Sequence, residues 1–126
     1  MQFNFDCEQA LGCNEKGFAI LEGSFESNIR PGFRLFVNEI LDSMGLMSSQ
    51  VQGLQVVKTS AHKFFISRDR IIIKAEKNCV IGFIRTGNRK LFIKDNISNY
   101  VHEEPISVID FFVHPTYERQ GHGKVI

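Results

Sequence analysis

The chain has 126 residues, of which 43% are apolar and 23% charged, and its formal net charge is +1. That length suits one domain with a modest core, the balance argues against disorder, and nothing in the charge points to nucleic acid or an anionic membrane as a partner. Cys7, Cys13 and Cys79 are an odd, scattered set without a Cys-x-x-Cys pair, which argues against a disulfide framework or a zinc site, and no apolar run approaches a membrane span.

Met1 to Asp6 alternates apolar and polar residues and reads as a short edge strand. Glu8 to Asn14 reads as a turn or short helix, and Gly17 to Phe25 as a strand. Asn28 to Gly32 is a linker. Phe33, Phe36, Val37, Ile40, Leu41 and Met44 then recur at helical spacing, which predicts an amphipathic helix ending before or at Gly45. Ser48 and Ser49 can cap a second helix, whose stripe of Val51, Leu54, Val57, Ala61 and Phe64 extends as far as Ser67. Gln52 points away from most of that stripe.

Arg70 to Ala75 is a strand and Glu76 to Asn78 a turn. Cys79 to Arg85 and Arg89 to Lys94 are two strands, joined by a hairpin loop at Thr86-Gly87-Asn88. Arg85, Arg89, Lys90 and Lys94 make a basic stripe on that hairpin, either a solvated face or an aid to docking an acidic partner. Asp95 to Glu104 is a polar loop. Val108 to Val113, interrupted by Asp110 and stopped by Pro115, looks like a buried central strand. The layout is α+β with a mainly antiparallel sheet.

After that strand come Gly121 and Gly123, flanked by Arg119, His122 and Lys124. Glycines let backbone N–H groups turn inward without a Cβ in the way, and the cations favour an anion, so the loop suits a phosphate. A strand followed by an (Arg/Gln)-x-x-Gly-x-(Gly/Ala) loop resembles the acetyl-CoA pyrophosphate loop of the GNAT superfamily of N-acetyltransferases. Three segments, VIGFIRTGNRKLFIKD from Val80, PISVIDFFVH from Pro105 and RQGHGK from Arg119, resemble the alpha-tubulin N-acetyltransferase family in order and spacing. The likeness extends more faintly back to Met1.

The resemblance implies the N-terminal part of a GNAT acyl-CoA N-acyltransferase fold, with two N-terminal helices, as a single partial domain over residues 1–126. The chain stops three residues after Gly123, where the fold needs a further helix. It therefore reads as truncated, with impaired activity expected. The resemblance also implies acetyl-CoA as cosubstrate with no metal, and a lysine of alpha-tubulin in microtubules as substrate. No nucleic acid or membrane partner is expected. The polar start, MQFNFDCEQ, lacks a signal-peptide pattern, so a cytoplasmic and cytoskeletal location is expected, the cilium or axoneme included.

On the same footing, Arg119, Gln120, Gly121, His122, Gly123 and Lys124 would hold the diphosphate. Glu118 departs from the pattern, since a carboxylate there repels phosphate unless it turns outward. Backbone N–H groups of Phe111, Phe112 and Val113 would meet the thioester and pantetheine, and His114 matches a histidine that follows the strand in the family. Gln52 matches a polar residue near the substrate lysine, able to orient the amine but not to take its proton well. Ser107 stands where the family often has cysteine. Asp110 is either a base or a structural carboxylate bonded to nearby backbone. The alternatives are another GNAT acetyltransferase, acting on a different protein lysine or a small amine, and a non-catalytic tubulin-binding module.

Overall fold

Alternation of apolar side chains builds the sheet. In Arg70–Glu76 (β2), Ile71, Ile73 and Ala75 turn inward, and in Phe18–Glu22 (β1) Ala19 and Leu21 do the same. With Cys79–Asn88 (β3) and Ile106–Val113 (β4) they form a four-stranded antiparallel sheet in the order β1-β2-β3-β4. The computed structural model describes residues 1–23, 29–88 and 106–114.

Two rows cross the sheet in register. Ala19, Ile73, Phe83 and Phe112 make one, buried and apolar throughout. Leu21, Ile71, Arg85 and Asp110 make the other, apolar on β1 and β2 and charged on β3 and β4. Side chains directly opposite across strands share a face, so the second row carries the buried charges into the same layer as the core. Beside it the register of β3 and β4 shifts. Arg85 faces Asp110 while Thr86 faces Val108, which leaves Ile109 as the extra residue of a bulge.

The helices cover that layer. Cys7–Leu11 (α1) is capped by Asp6, whose Oδ1 accepts from the Gln9 N–H at 3.0 Å. A 3-10 turn over Pro31–Phe33 leads into Arg34–Gln52 (α2), which buries Val37, Ile40, Leu41 and Met44. Each such side chain contributes about 1.5–3 kcal/mol on burial. Ala61–Phe65 (α3) starts at Ser60, whose Oγ accepts from the Lys63 N–H at 3.1 Å, and Asp42 of α2 accepts from the Ala61 N–H at 2.7 Å.

Several expected boundaries move. Gly45 does not end the long helix, which runs on to Gln52 and closes at Gly53 with φ 67°. Gly45 is instead the point where α2 touches the chain at Thr59: a Cβ there would lie 1.7 Å from the Thr59 carbonyl oxygen. Ser48 and Ser49 are therefore mid-helix residues, not caps, and the second helix shrinks to α3. Thr86-Gly87-Asn88 is not a hairpin loop but the end of β3, paired with Val108, Ser107 and Ile106. The expected strand over 89–94 and the loop over 95–104 lie outside the described residues. At the N-terminus, Gln2 bridges to Cys79 and the Phe3 N–H donates to the Asn78 carbonyl at 2.8 Å, so the expected edge strand is reduced to this contact. β4, expected to be buried, buries only Asp110, Phe112 and Val113, while Ile106, Val108 and Phe111 are exposed.

Candidate active site

The end of α2 and the middle of β4 enclose a cleft of about 380 Å³, lined by Val51, Gln52, Lys58 and residues 108–113. Asp110 forms its inner wall and is only 4% exposed. Its Oδ1 accepts from Ser48 Oγ at 2.7 Å, from the Phe111 N–H at 3.0 Å and from Gln52 Nε2 at 3.2 Å. Its Oδ2 accepts from Thr59 Oγ1 at 2.8 Å. Three of the four donors converge on Oδ1 and one reaches Oδ2, so Oδ1 is fully engaged while Oδ2 keeps a lone pair.

Chemistry fixes which way round the Gln52 amide sits. Its Nε2 lies 3.2 Å from Asp110 Oδ1 and 3.3 Å from the Phe111 carbonyl oxygen. Both are pure acceptors beside it, so the NH₂ group must face them. Nε2 also donates to Ser48 Oγ at 2.7 Å. With the nitrogen held inward, the amide oxygen turns away from Asp110.

The β3–β4 ladder decides which amides of β4 are spent. The His114 N–H donates to the Ile81 carbonyl at 2.8 Å. Antiparallel pairs alternate between bonded and unbonded, so Phe112, two residues before it and paired with Phe83, also turns its N–H to β3. Phe111 and Val113 turn theirs to the outer edge. The Phe111 N–H is taken by Asp110, which leaves the Val113 N–H facing outward along β4.

Of the residues singled out in the sequence, Gln52, Asp110, Phe111, Phe112 and Val113 come together around this cleft. Ser107 does not line it; it pairs with Gly87 near the far end of β4. His114 closes the strand, with its ring edge-on to Phe112 at 6.3 Å. Burial, and then the α-amino group of Met1, hold its imidazole below the ordinary range. Arg119, Gln120, Gly121, His122, Gly123 and Lys124 lie outside the described residues, as do Arg89, Lys90 and Lys94. Arg85 does not belong to an exposed basic stripe: it is 4% exposed and its Nη2 lies 2.7 Å from Asp69 Oδ2. No group of histidine, cysteine and acidic side chains able to hold a metal exists among the described residues. None of the described helices is long and apolar enough to cross a membrane.

Residues 14–126 match the family described as GNAT acetyltransferase, Mec-17. The chain belongs to this family. Among its relatives, the alpha-tubulin N-acetyltransferase of Tetrahymena thermophila is 30% identical over 127 residues, covering 100% of this chain and 32% of its own length. Alpha-tubulin N-acetyltransferase 1 of Danio rerio is 31% identical over 69% of this chain and 31% of its own length. The Anopheles gambiae alpha-tubulin N-acetyltransferase is 34% identical over 70% of this chain and 19% of its own length. The chain thus spans a third or less of the length of these relatives.

For a GNAT acetyltransferase domain, the described sheet with its bulged β4 and covering helices is the expected α+β arrangement. Five residues of the site were given no role in it by sequence: Lys58, Thr59 and Asp69, together with Ser48, expected as a helix cap, and Arg85, expected on a basic stripe. Only Arg85 carried a usable signal, as a cation on the inward register of the strand VIGFIRT.

Proposed function

We propose that the chain is an acetyl-CoA-dependent lysine N-acetyltransferase acting on alpha-tubulin in microtubules. The single observation that carries the reading is the Gln52 amide, locked nitrogen-inward against Asp110 and the Phe111 carbonyl at the mouth of the β4 cleft. A group so held offers a fixed acceptor to an incoming amine. Family membership and the names of the relatives support the reaction and the choice of tubulin.

The described residues suit acetyl-CoA. The cleft has an apolar wall at Val51, Val108 and Phe111, and the Val113 N–H faces outward along the edge of β4. An extended pantetheine arm needs that combination of apolar contact and edge hydrogen bonding. By sequence alone, Arg119, Gln120, Gly121, His122, Gly123 and Lys124 add a loop for its diphosphate. Acetyl-CoA, when bound, supplies the acetyl group as a thioester.

The chain supplies orientation. Gln52 Oε1 accepts an N–H of the lysine amine and so aims the nitrogen lone pair into the cleft. The Val113 N–H donates to the acyl donor. Such a donor, aimed at charge that grows in the transition state, contributes about 3 kcal/mol. Asp110 acts through its partners: it is 4% exposed and its Oδ1 accepts from Gln52 Nε2 and Ser48 Oγ, so it holds Gln52 in place.

The test is transfer of labelled acetyl groups from acetyl-CoA to polymerised tubulin, alongside a panel of other lysine-bearing proteins and small amines. Transfer confined to alpha-tubulin supports the reading. Equal transfer across the panel overturns the choice of tubulin, and no transfer to any acceptor overturns the enzyme.

A further inference from the structure

Behind the cleft lies a second set of buried polar groups that acyl transfer does not touch directly. Asp69, which precedes β2, is 2% exposed, and its Oδ2 accepts from Arg85 Nε at 2.8 Å and lies 2.7 Å from Arg85 Nη2. The third nitrogen, Arg85 Nη1, donates to the Lys58 carbonyl at 2.9 Å and to Thr59 Oγ1 at 3.4 Å. Thr59 is fully buried and passes its own hydrogen to Asp110 Oδ2. Arg85 and Asp110 oppose each other in register across β3 and β4, yet the Thr59 hydroxyl stands between their charges as acceptor from one and donor to the other.

We propose that Thr59, backed by the Asp69–Arg85 pair, is a positioning residue that sets the placement of Gln52 through Asp110. The direction of each hydrogen bond requires it. Arg85 can only donate and the Asp110 oxygens only accept, so a hydroxyl is the group that satisfies both at once. The hydroxyl fixes Oδ2, the rigid carboxylate carries Oδ1 with it, and Oδ1 holds Ser48, Gln52 and the Phe111 N–H. The close approach of α2 to the Thr59 carbonyl at Gly45 ties the helix that bears Ser48 and Gln52 to the same loop. Lys58, on the cleft wall, is held through its carbonyl by the same guanidinium. The loop that carries Lys58 and Thr59 thereby controls both the amine-facing side chain and one wall of the cleft.

The kinetic consequence rests on the acetyltransferase reading; the placement of Gln52 does not. Thr59→Val keeps the shape and removes the hydroxyl, and Thr59→Ser restores the hydroxyl without the methyl. Two readouts separate the inference from the reading. In the first, nuclear magnetic resonance follows the Gln52 side-chain amide: Thr59→Val shifts its resonances and speeds their exchange, while Thr59→Ser leaves them near the wild-type positions. In the second, Thr59→Val lowers kcat for acetyl transfer by about 10–100-fold, as a small misplacement at a reacting group does, with KM for acetyl-CoA unchanged and Thr59→Ser recovering most of the rate. An unmoved Gln52 amide in a folded Thr59→Val protein overturns the inference whatever the activity. A silent wild-type enzyme with a displaced Gln52 amide overturns the acetyltransferase reading and leaves the positioning role standing. Should Thr59→Val not fold, Arg85→Lys makes the same test, because it keeps the charge and loses the fork that reaches Asp69, Lys58 and Thr59 together; an unmoved Gln52 amide there is equally fatal.

Discussion

Gln52 and Asp110 are 58 residues apart in sequence, and Gln52 Nε2 lies 3.2 Å from Asp110 Oδ1. This contact joins the last residue of α2 to the bulged half of β4. It also decides which atom of Gln52 an incoming molecule meets.

Replacing Gln52 by Glu keeps the shape and sets a second carboxylate against Asp110. Like charges at that distance in a half-buried site repel by several kcal/mol at most, even at an effective dielectric of about 20. Acetyl transfer by Gln52→Glu is expected to fall well below wild type at pH 8. It should recover in part at lower pH as the new carboxylate protonates. A pH–rate profile checks this, and a rate independent of the substitution speaks against the role given to Gln52.

Asp110→Asn tests the carboxylate. An amide offers one oxygen and one NH₂ where the site has four donors. With the oxygen toward Ser48, Gln52 and Phe111, the Thr59 hydroxyl hydrogen is left without an acceptor. A stranded buried donor costs about 1–3 kcal/mol, so urea denaturation of Asp110→Asn should show a lower midpoint with little change in slope.

Gly45→Ala should destabilise although alanine is the better helix former. The added Cβ would lie 1.7 Å from the Thr59 carbonyl oxygen and 2.7 Å from its carbon. Backbone cannot rotate away as a side chain can, so α2 and the Thr59 loop must separate. Overpacking of this kind costs about 1–3 kcal/mol or more, measurable by thermal denaturation.

Burial, the leading cause for each, raises the thiol of Cys7 to about 12 and that of Cys13 to about 11. Neighbouring acidic groups add to both shifts. Thiols that stay protonated react slowly with iodoacetamide. Both should resist it at pH 8 in the folded protein and react once urea is added, as mass spectrometry of the labelled peptides would show. The sign of the linkage follows. Between about pH 9 and these raised values the folded chain binds more protons than the unfolded one, so stability falls as pH rises through that window.

Local pattern made much of this fold legible. β2 shows in RIIIKA because its inward positions alternate, and α1 shows in part, as a short helix that ends at Gly12, while its Asp6 cap reads as strand. The family was legible too, in the segments around Val80 and Pro105 that became β3 and β4. What local pattern could not give were features made by distant partners. Gly45 looks like a helix stop until Thr59 is brought against it. Thr86-Gly87-Asn88 looks like a turn until residues 106–108 pair with it. Ser48 looks like a cap until Asp110, 62 residues away, accepts from its hydroxyl. Asp110 itself stood out as a carboxylate in an apolar run, but its partners Ser48, Gln52 and Thr59 come from α2 and the segment after it.

The most direct test of the site is a titration with acetyl-CoA followed by backbone and side-chain amide resonances. The account predicts that the Val113 N–H and the Gln52 side-chain amide are among the signals that move most, with Ala19 and Ile73 on the far strands unmoved. Saturable binding that leaves Val113 and Gln52 where they were, or no binding at all, would contradict the assignment of the β4 cleft to acyl transfer.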